Sequence, residues 1–167
     1  MAMTRDRPTT RDRPTIERIH PPKTLMRLGN PMMRFLALRV SALQRYVIVL
    51  HYEGRKSRVK YDLPVGYHII DRQISILTNS AWRHNFRNGT DLEVTYQGQR
   101  RPAWATLVDS PGVVASVYEA QVADLGVTDT RRRLGVRINL DRLPTHGEWL
   151  EVIRREGMSI VRIELAS

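Results

Sequence analysis

Residues Gly54-Arg55-Lys56-Ser57-Arg58 place three cations and a hydroxyl in a short link between two β-branched, apolar runs, residues 46–51 and 59–68. Arginine offers a planar fork for phosphate or carboxylate, lysine a mobile point charge, and serine a hydroxyl. The backbone N–H groups of a tight turn can converge on the same anion. Such a link could hold a phosphate group, and it suits equally well a solvated basic turn that blunts a sheet edge. It is not the nucleotide-binding P-loop, whose lysine follows the second glycine and opens a helix, and no GxGxxG pattern occurs.

Other chemistries find less support. The sequence holds no cysteine, which excludes disulfides, thiolate nucleophiles and thiolate metal sites. Five histidines stand at positions 20, 51, 68, 84 and 146, and no pair has the i,i+4 ligand spacing with a companion acid, so no metal is expected. No GxSxG elbow is present, and His84, four residues after Ser80, has no orienting carboxylate beside it. Trp82 and Trp104 offer either a flat wall for a ring compound or packing anchors. Asn85, on the same side of the short helix as Ala81 and near Trp82, suits a cap or a cross-link between strands. No catalytic residue can be assigned: Tyr61, Tyr67, Tyr118 and His68 are all conceivable proton donors and all common packing residues.

The elements that must position these residues follow from the hydrophobic pattern. With 167 residues, 41% of them hydrophobic, the chain suits one α+β domain with a real core. The hexapeptide TRDRPT occurs twice in residues 4–15 and lacks apolar side chains, so residues 1–20 are expected to be a disordered tail, with a later translation start left open. Residues 21–45 read as two basic amphipathic helices interrupted at Gly29-Asn30-Pro31. Residues 46–167 read as the main domain: strands at 46–51, 59–68, 73–77, 92–96 and 102–108 in a barrel-like meander, with a hairpin at Tyr96-Gln97-Gly98-Gln99. A short helix over 80–87, capped by Asn79 or Ser80, lies where strand ends meet. A helix from Val113 past Val122, a second over 145–155 with the capping-box pair Thr145 and Glu148, and a returning strand over 158–165 complete the reading.

The formal net charge of +10 is concentrated: residues 1–20 carry +2, residues 21–60 carry +8, and the remainder is neutral. This favours an anionic partner at the turn and an anionic membrane surface under the N-terminal helices over nucleic acid, for which aromatics at 7% supply no interleaved stacking face. No stretch is apolar for the roughly 20 residues a spanning helix needs, so a cytoplasmic protein, at most peripheral at the inner membrane face, is expected. A homodimer through a free strand edge is a further expectation.

Residues 47–65, VIVLHYEGRKSRVKYDLPV, resemble the strand, GRKSG-type turn and strand of the split-barrel deazaflavin-dependent nitroreductase family, related to the FMN-binding pyridoxamine-phosphate-oxidase-like fold. Gly54 and Pro64 keep that family's spacing, and Trp82-Arg83-His84-Asn85-Phe86-Arg87 is similar to its W-x-x-N-[LF]-[KR] helix. The resemblance covers residues 23–165. It implies an antiparallel split β-barrel with flanking helices and binding of the deazaflavin coenzyme F-420, with FMN as the alternative. It also implies Arg55, Lys56 and Ser57 at the phosphate, Pro64 and Val65 along the ring, and Ser80, Trp82 and Asn85 closing the pocket; Arg58, a further cation of the turn, is expected to add to the phosphate site. The activity implied is hydride transfer from the reduced coenzyme to a nitro-compound, quinone or similar electron-poor acceptor. A non-catalytic carrier of a deazaflavin or flavin on the same fold is the alternative. Three departures stand out: Arg58 replaces the usual glycine, Tyr61 replaces the usual arginine, and the Gly-rich connector before the tryptophan is cut to Thr78-Asn79-Ser80-Ala81. The short connector is expected to remove N–H donors from an anion.

Overall fold

The computed structural model describes residues 14–19 and 44–166. The strands are β1 (Ile16–Arg18), β2 (Val47–Glu53), β3 (Lys60–Gly66), β4 (His68–Ile70), β5 (Gln73–Thr78), β6 (Thr90–Tyr96), β7 (Gln99–Val108), β8 (Val136–Ile138) and β9 (Ser159–Leu165). A 3-10 helix spans Ala81–Phe86, α1 spans Pro111–Leu134 and α2 spans His146–Glu156. Seven strands form one antiparallel sheet in the order β3-β2-β6-β7-β9-β5-β4, which curls into a half-barrel. The fold is α+β with a split-barrel-like sheet.

Alternation sets its two faces. Ile48, Leu50 and Tyr52 of β2, Ile74 and Ile76 of β5, Leu92 and Val94 of β6, Ala103 and Ala105 of β7, and Val161 and Ile163 of β9 fill the concave side, with Phe86 of the 3-10 helix. On the opposite face, Leu77, Ile160 and Val108 stand side by side in register across β5, β9 and β7. They carry a second core built by α1 and α2, in which Tyr118 stacks on Trp149 at 5.5 Å between ring centroids.

The order is not a simple meander, because β9 enters between β7 and β5 and separates strands that neighbour it from opposite sides. The run 59–68 is also divided, with β3 and β4 separated at Tyr67. Gln97 and Gly98, both at positive φ, form the expected two-residue hairpin turn between β6 and β7. His51, on the convex face, links three strands: its Nδ1 lies 2.6 Å from Asp62 of β3 and its Nε2 lies 2.8 Å from Thr95 of β6.

Residues 14–19, assigned from the sequence to a disordered tail, include strand β1 (Ile16–Arg18), which pairs with β8. Ile16, 1% exposed, enters the helical core; Arg155 donates to its carbonyl at 2.7 Å, and Arg18 donates to Tyr118 Oη and the Leu134 carbonyl at 3.2 Å each. One buried isoleucine and these anchored carbonyls supply what the polar repeat before it lacks. The two helices expected over 21–45 lie outside the described residues except at 44 and 45. Helix α1 runs on past Val122 to Leu134 with a break at Gly126, whose φ of 74° and ψ of 164° no helix accommodates. Helix α2 carries the expected capping box: Thr145 Oγ1 accepts from the Glu148 N–H, and Glu148 accepts from the Thr145 N–H. No helix among the described residues is long and apolar enough to cross a membrane.

Two measurements check this architecture. Ile16→Ala should cost about 2–5 kcal/mol in denaturant unfolding, as for a buried aliphatic side chain; a change near zero would restore the tail. Glu148 is held down to about 2, first by the Arg142 guanidinium and then by the Thr145 N–H. A depressed carboxyl contributes stability that is present above its ordinary value and lost as pH falls through the folded one. Between pH 4.5 and 2 the Glu148→Gln variant should therefore lose stability less steeply than the parent protein; parallel curves would refute the assignment.

Candidate functional site

The hairpin joining β2 and β3 closes with two backbone bonds of 2.8 Å, Gly54 N–H to the Val59 carbonyl and Arg58 N–H to the Gly54 carbonyl. Arg58 takes a φ of 56°, the left-handed conformation that glycine adopts freely and other residues adopt at a cost. Its guanidinium turns back to Glu53 at 2.9 Å, so this cation is neutralised within the hairpin. Arg55 and Lys56 have no ion-pair partner among the described residues, and the N–H groups of Lys56 and Ser57 make no hydrogen bond there. Both cations are free to meet an anion.

The turn is attached to the 3-10 helix by one side chain. Asn85 Oδ1 accepts from the Arg55 N–H at 2.9 Å, and its Nδ2 donates to the Trp82 carbonyl at 2.8 Å. Asn85 is therefore a cross-link whose oxygen and nitrogen are both engaged. Three residues per turn align it with Trp82 rather than with Ala81 as an α-helix would. Ser80 stands at the N-cap of this helix and makes no capping bond through its side chain. The Arg83 guanidinium instead folds back, donating to the Asn79 carbonyl at 2.5 Å and the Ser80 carbonyl at 2.9 Å.

Between turn and helix lies a cleft of about 450 Å³, bordered by Tyr52, Gly54, Arg55, Lys56, Ser57, Tyr61, Ala81, Trp82, His84 and Asn85. Its apolar wall is a chain of rings: Tyr61 stacks on Tyr52 at 5.4 Å, Tyr52 meets Phe86 edge-on at 5.2 Å, and Phe86 meets Trp82 at 6.0 Å. Burial, then the neighbouring Tyr61, raises the Tyr52 phenol, so Tyr52 stays neutral across ordinary pH. A side chain on Gly54 would run into Ser57 Oγ and approach the Tyr61 ring to 2.9 Å, so glycine is what lets the turn lie flat against the rings.

Of the nine binding residues named from the sequence, Arg55, Lys56, Ser57, Trp82 and Asn85 border this cleft. Arg58 points to Glu53 instead. Pro64 and Val65 pair with Val49 and Ile48 on the edge strand, and Val65 packs on the concave core. Ser80 is engaged in the connector, its N–H donating to Thr78 Oγ1 at 3.0 Å. Trp104 covers Gly89, away from the cleft. Among the four tyrosine and histidine candidates for proton transfer only Tyr61 is at the cleft, its hydroxyl 3.3 Å from Ser57 Oγ. Tyr118 is fully buried among the helices. Tyr67, pushed up to about 12 mainly by burial, borders a separate cleft with His68, Arg132 and Arg133. Tyr52, Ala81 and His84 also line the cleft, and Tyr61, named from the sequence only as a proton donor, joins them. The tyrosines could have been found, since Tyr52 and Tyr61 are equidistant from a turn centred between Lys56 and Ser57 and must pair across the hairpin. Among the described residues no group of His, Asp and Glu side chains could hold a metal ion.

Fold and site together define an α+β protein with a half-barrel sheet and, at the sheet's end, a cationic cleft walled by aromatic rings. No protein-family model matches the chain, and no curated protein matches it. Among solved structures it is similar to the crystal structure of conserved hypothetical protein Rv2991 from Mycobacterium tuberculosis, with 15% identity and a TM-score of 0.42, over 89% of this chain and 83% of that chain.

The strained Arg58 gives a test of the turn. Arg58→Gly removes the left-handed penalty of about 1–2 kcal/mol and an exposed ion pair with Glu53 worth about 0–1 kcal/mol. Denaturant unfolding should show stability unchanged or raised; a loss above about 1 kcal/mol would mean the ion pair, not the backbone, dominates the turn.

Proposed function

We propose that the chain is an oxidoreductase that holds a planar, phosphate-bearing coenzyme of the flavin type in the cleft between the turn and the 3-10 helix, deazaflavin F-420 by its resemblance and FMN as the alternative. The observation that carries this reading is the pairing of two unneutralised cations, Arg55 and Lys56, with a wall of Trp82, Tyr52 and Tyr61 inside one cleft of about 450 Å³. That volume falls in the range of small-molecule sites. The donor set fits the group: the Arg55 fork, the Lys56 ammonium, the Ser57 hydroxyl and the N–H groups of Lys56 and Ser57 suit a phosphate, and the rings suit a flat heterocycle.

When bound, the coenzyme supplies hydride to an electron-poor acceptor such as a nitro-compound or quinone. The chain's own part is positioning. Asn85 fixes the turn relative to Trp82, and Gly54 permits the close approach of the turn to Tyr61. The aromatic wall keeps water from one side of the cleft. The short connector Thr78–Ala81 adds no free N–H from Ser80, which is used on Thr78, so the anion depends on the turn. One observation favours the carrier reading: of the proton donors named from the sequence only Tyr61 borders the cleft, and its hydroxyl already lies against Ser57.

Titration of the full chain with F-420, and separately with FMN, followed by coenzyme fluorescence, tests the reading. Saturable binding should weaken at least about tenfold in the R55Q/K56Q double variant, as expected for loss of charge-assisted hydrogen bonds. Reduced coenzyme should then be reoxidised when a quinone or nitro-compound is added. Binding without turnover across an acceptor panel would favour the carrier. Absence of binding to both coenzymes would overturn the proposal.

A further inference from the structure

The other side of the 3-10 helix borders a second concavity, of about 220 Å³, which shares only His84 with the first. Its rim carries Arg83, Arg87 and Arg154, and its floor is formed by Ile153, Met158 and Ser159. Among the described residues one carboxylate borders the concavity with these three guanidiniums: Asp109, 3.3 Å from Arg87. Arg83 is bound to the neutral carbonyls of Asn79 and Ser80, and its buried Nε–H has no acceptor among the described residues. Its Nη2 would lie 3.3 Å from a Cβ at Gly157, so a side chain there would crowd the guanidinium. Arg154 is exposed and has no partner among the described residues. His84 Nδ1 lies 3.3 Å from Arg87 Nη2. Its protonation is disfavoured first by partial burial and then by Arg83 and Arg87, which leaves a neutral imidazole in a field of cations.

We propose that this concavity is a second anion site, taking the phosphate group of a small molecule independently of the cleft at the turn. Three guanidiniums against one carboxylate leave a local excess of two positive charges, which matches a phosphate monoester near neutral pH better than a single carboxylate. Guanidinium forks on separate elements, the 3-10 helix and the end of α2, can approach a tetrahedral group from different directions. The apolar floor keeps bulk water from the far side and strengthens the attraction. The site does not use Arg55 or Lys56, so it stands whether or not a coenzyme occupies the first cleft.

The experiment is calorimetric titration of the full chain with inorganic phosphate in a low-salt chloride buffer, with circular dichroism to verify folding of each variant. The comparison is between the parent protein, R55Q/K56Q and R87Q/R154Q. Arg87 and Arg154 are exposed and bond no backbone, so their replacement leaves the helix anchored by Arg83. A saturable phosphate site should persist in R55Q/K56Q and weaken at least tenfold in R87Q/R154Q, and acetate should not displace phosphate from it. The proposal is overturned if R87Q/R154Q binds as the parent does, if R55Q/K56Q removes all binding, or if acetate competes equally. It is overturned also if the parent protein binds no phosphate up to about 10 mM, weaker than any specific site would be.

Discussion

Everything else in the structure depends on β9 lying between β7 and β5. Its alternation gives one strand two apolar faces: Val161 and Ile163 close the concave core, while Ile160, with Met158 just before the strand, supports the helices. Full burial of an aliphatic side chain contributes about 1.5–3 kcal/mol, so these few residues anchor both layers at once. The pairing is also long-range in sequence. Strands β5 and β7 acquire their common neighbour only when the end of the chain arrives, and the row Leu77-Ile160-Val108 exists only then. Loop closure over such separations precedes any reward from contacts, which makes closure by β9 the step expected to limit folding.

The sheet explains where the cleft is, and a single amide explains its shape. Strands β2 and β3 deliver the basic turn to the end of the concave core, where Tyr52 and Tyr61 are register partners. Without the Asn85 bridge the turn would be tied to the rest of the molecule only through its own hairpin. With it, the Arg55 backbone is fixed against the Trp82 helix, and the freedom left to the cations is that of their side chains. A binding group held on a rigid backbone with mobile charged ends suits an anion whose ring is read by a fixed wall. The position of Arg58 fits the same account, because the hairpin dictates a left-handed residue there whatever its side chain, and the Glu53 contact then removes that cation from the cleft.

Much of this was legible in residue order, and the failures have physical causes. Periodicity two marked β2, β5, β6 and β7, and the Thr145 and Glu148 pair marked the start of α2, because these signals are local. Strand β1 was hidden because its one strongly apolar residue, Ile16, follows a polar repeat and acquires its partner Ile138 from more than a hundred residues away. The three-residue β8 is below the length at which alternation can be recognised. The insertion of β9 is a statement about neighbours, which no local pattern contains. At the site, the turn and the Trp82–Asn85 pair were visible as motif-like spacings. Pro64, Val65 and Ser80 were separated from the cleft by strand pairing and by the connector, which depend on the assembled sheet.

The short helix also shows why helical type matters more than helical existence. Read with 3.6 residues per turn, Asn85 aligns with Ala81; with three per turn, residues at i and i+3 eclipse. Trp82 and Asn85 then share the side that borders the turn, Phe86 enters the core beneath Arg83, and His84 and Arg87 share the third side, with Arg83, His84 and Arg87 all reaching the second concavity. Three faces on so short a helix and its C-cap Arg87 account for a cation that folds back on carbonyls, a ring that joins the core and a cross-link that fixes the cleft. They also explain why charge sums along the chain mislead. The neutral balance after residue 60 conceals a local excess at Arg83, Arg87 and Arg154, and the excess before it includes Arg58, already neutralised by Glu53. The charge that an anion meets is set by which side chains a turn or helix gathers, and by which of them the protein has left without a counter-ion.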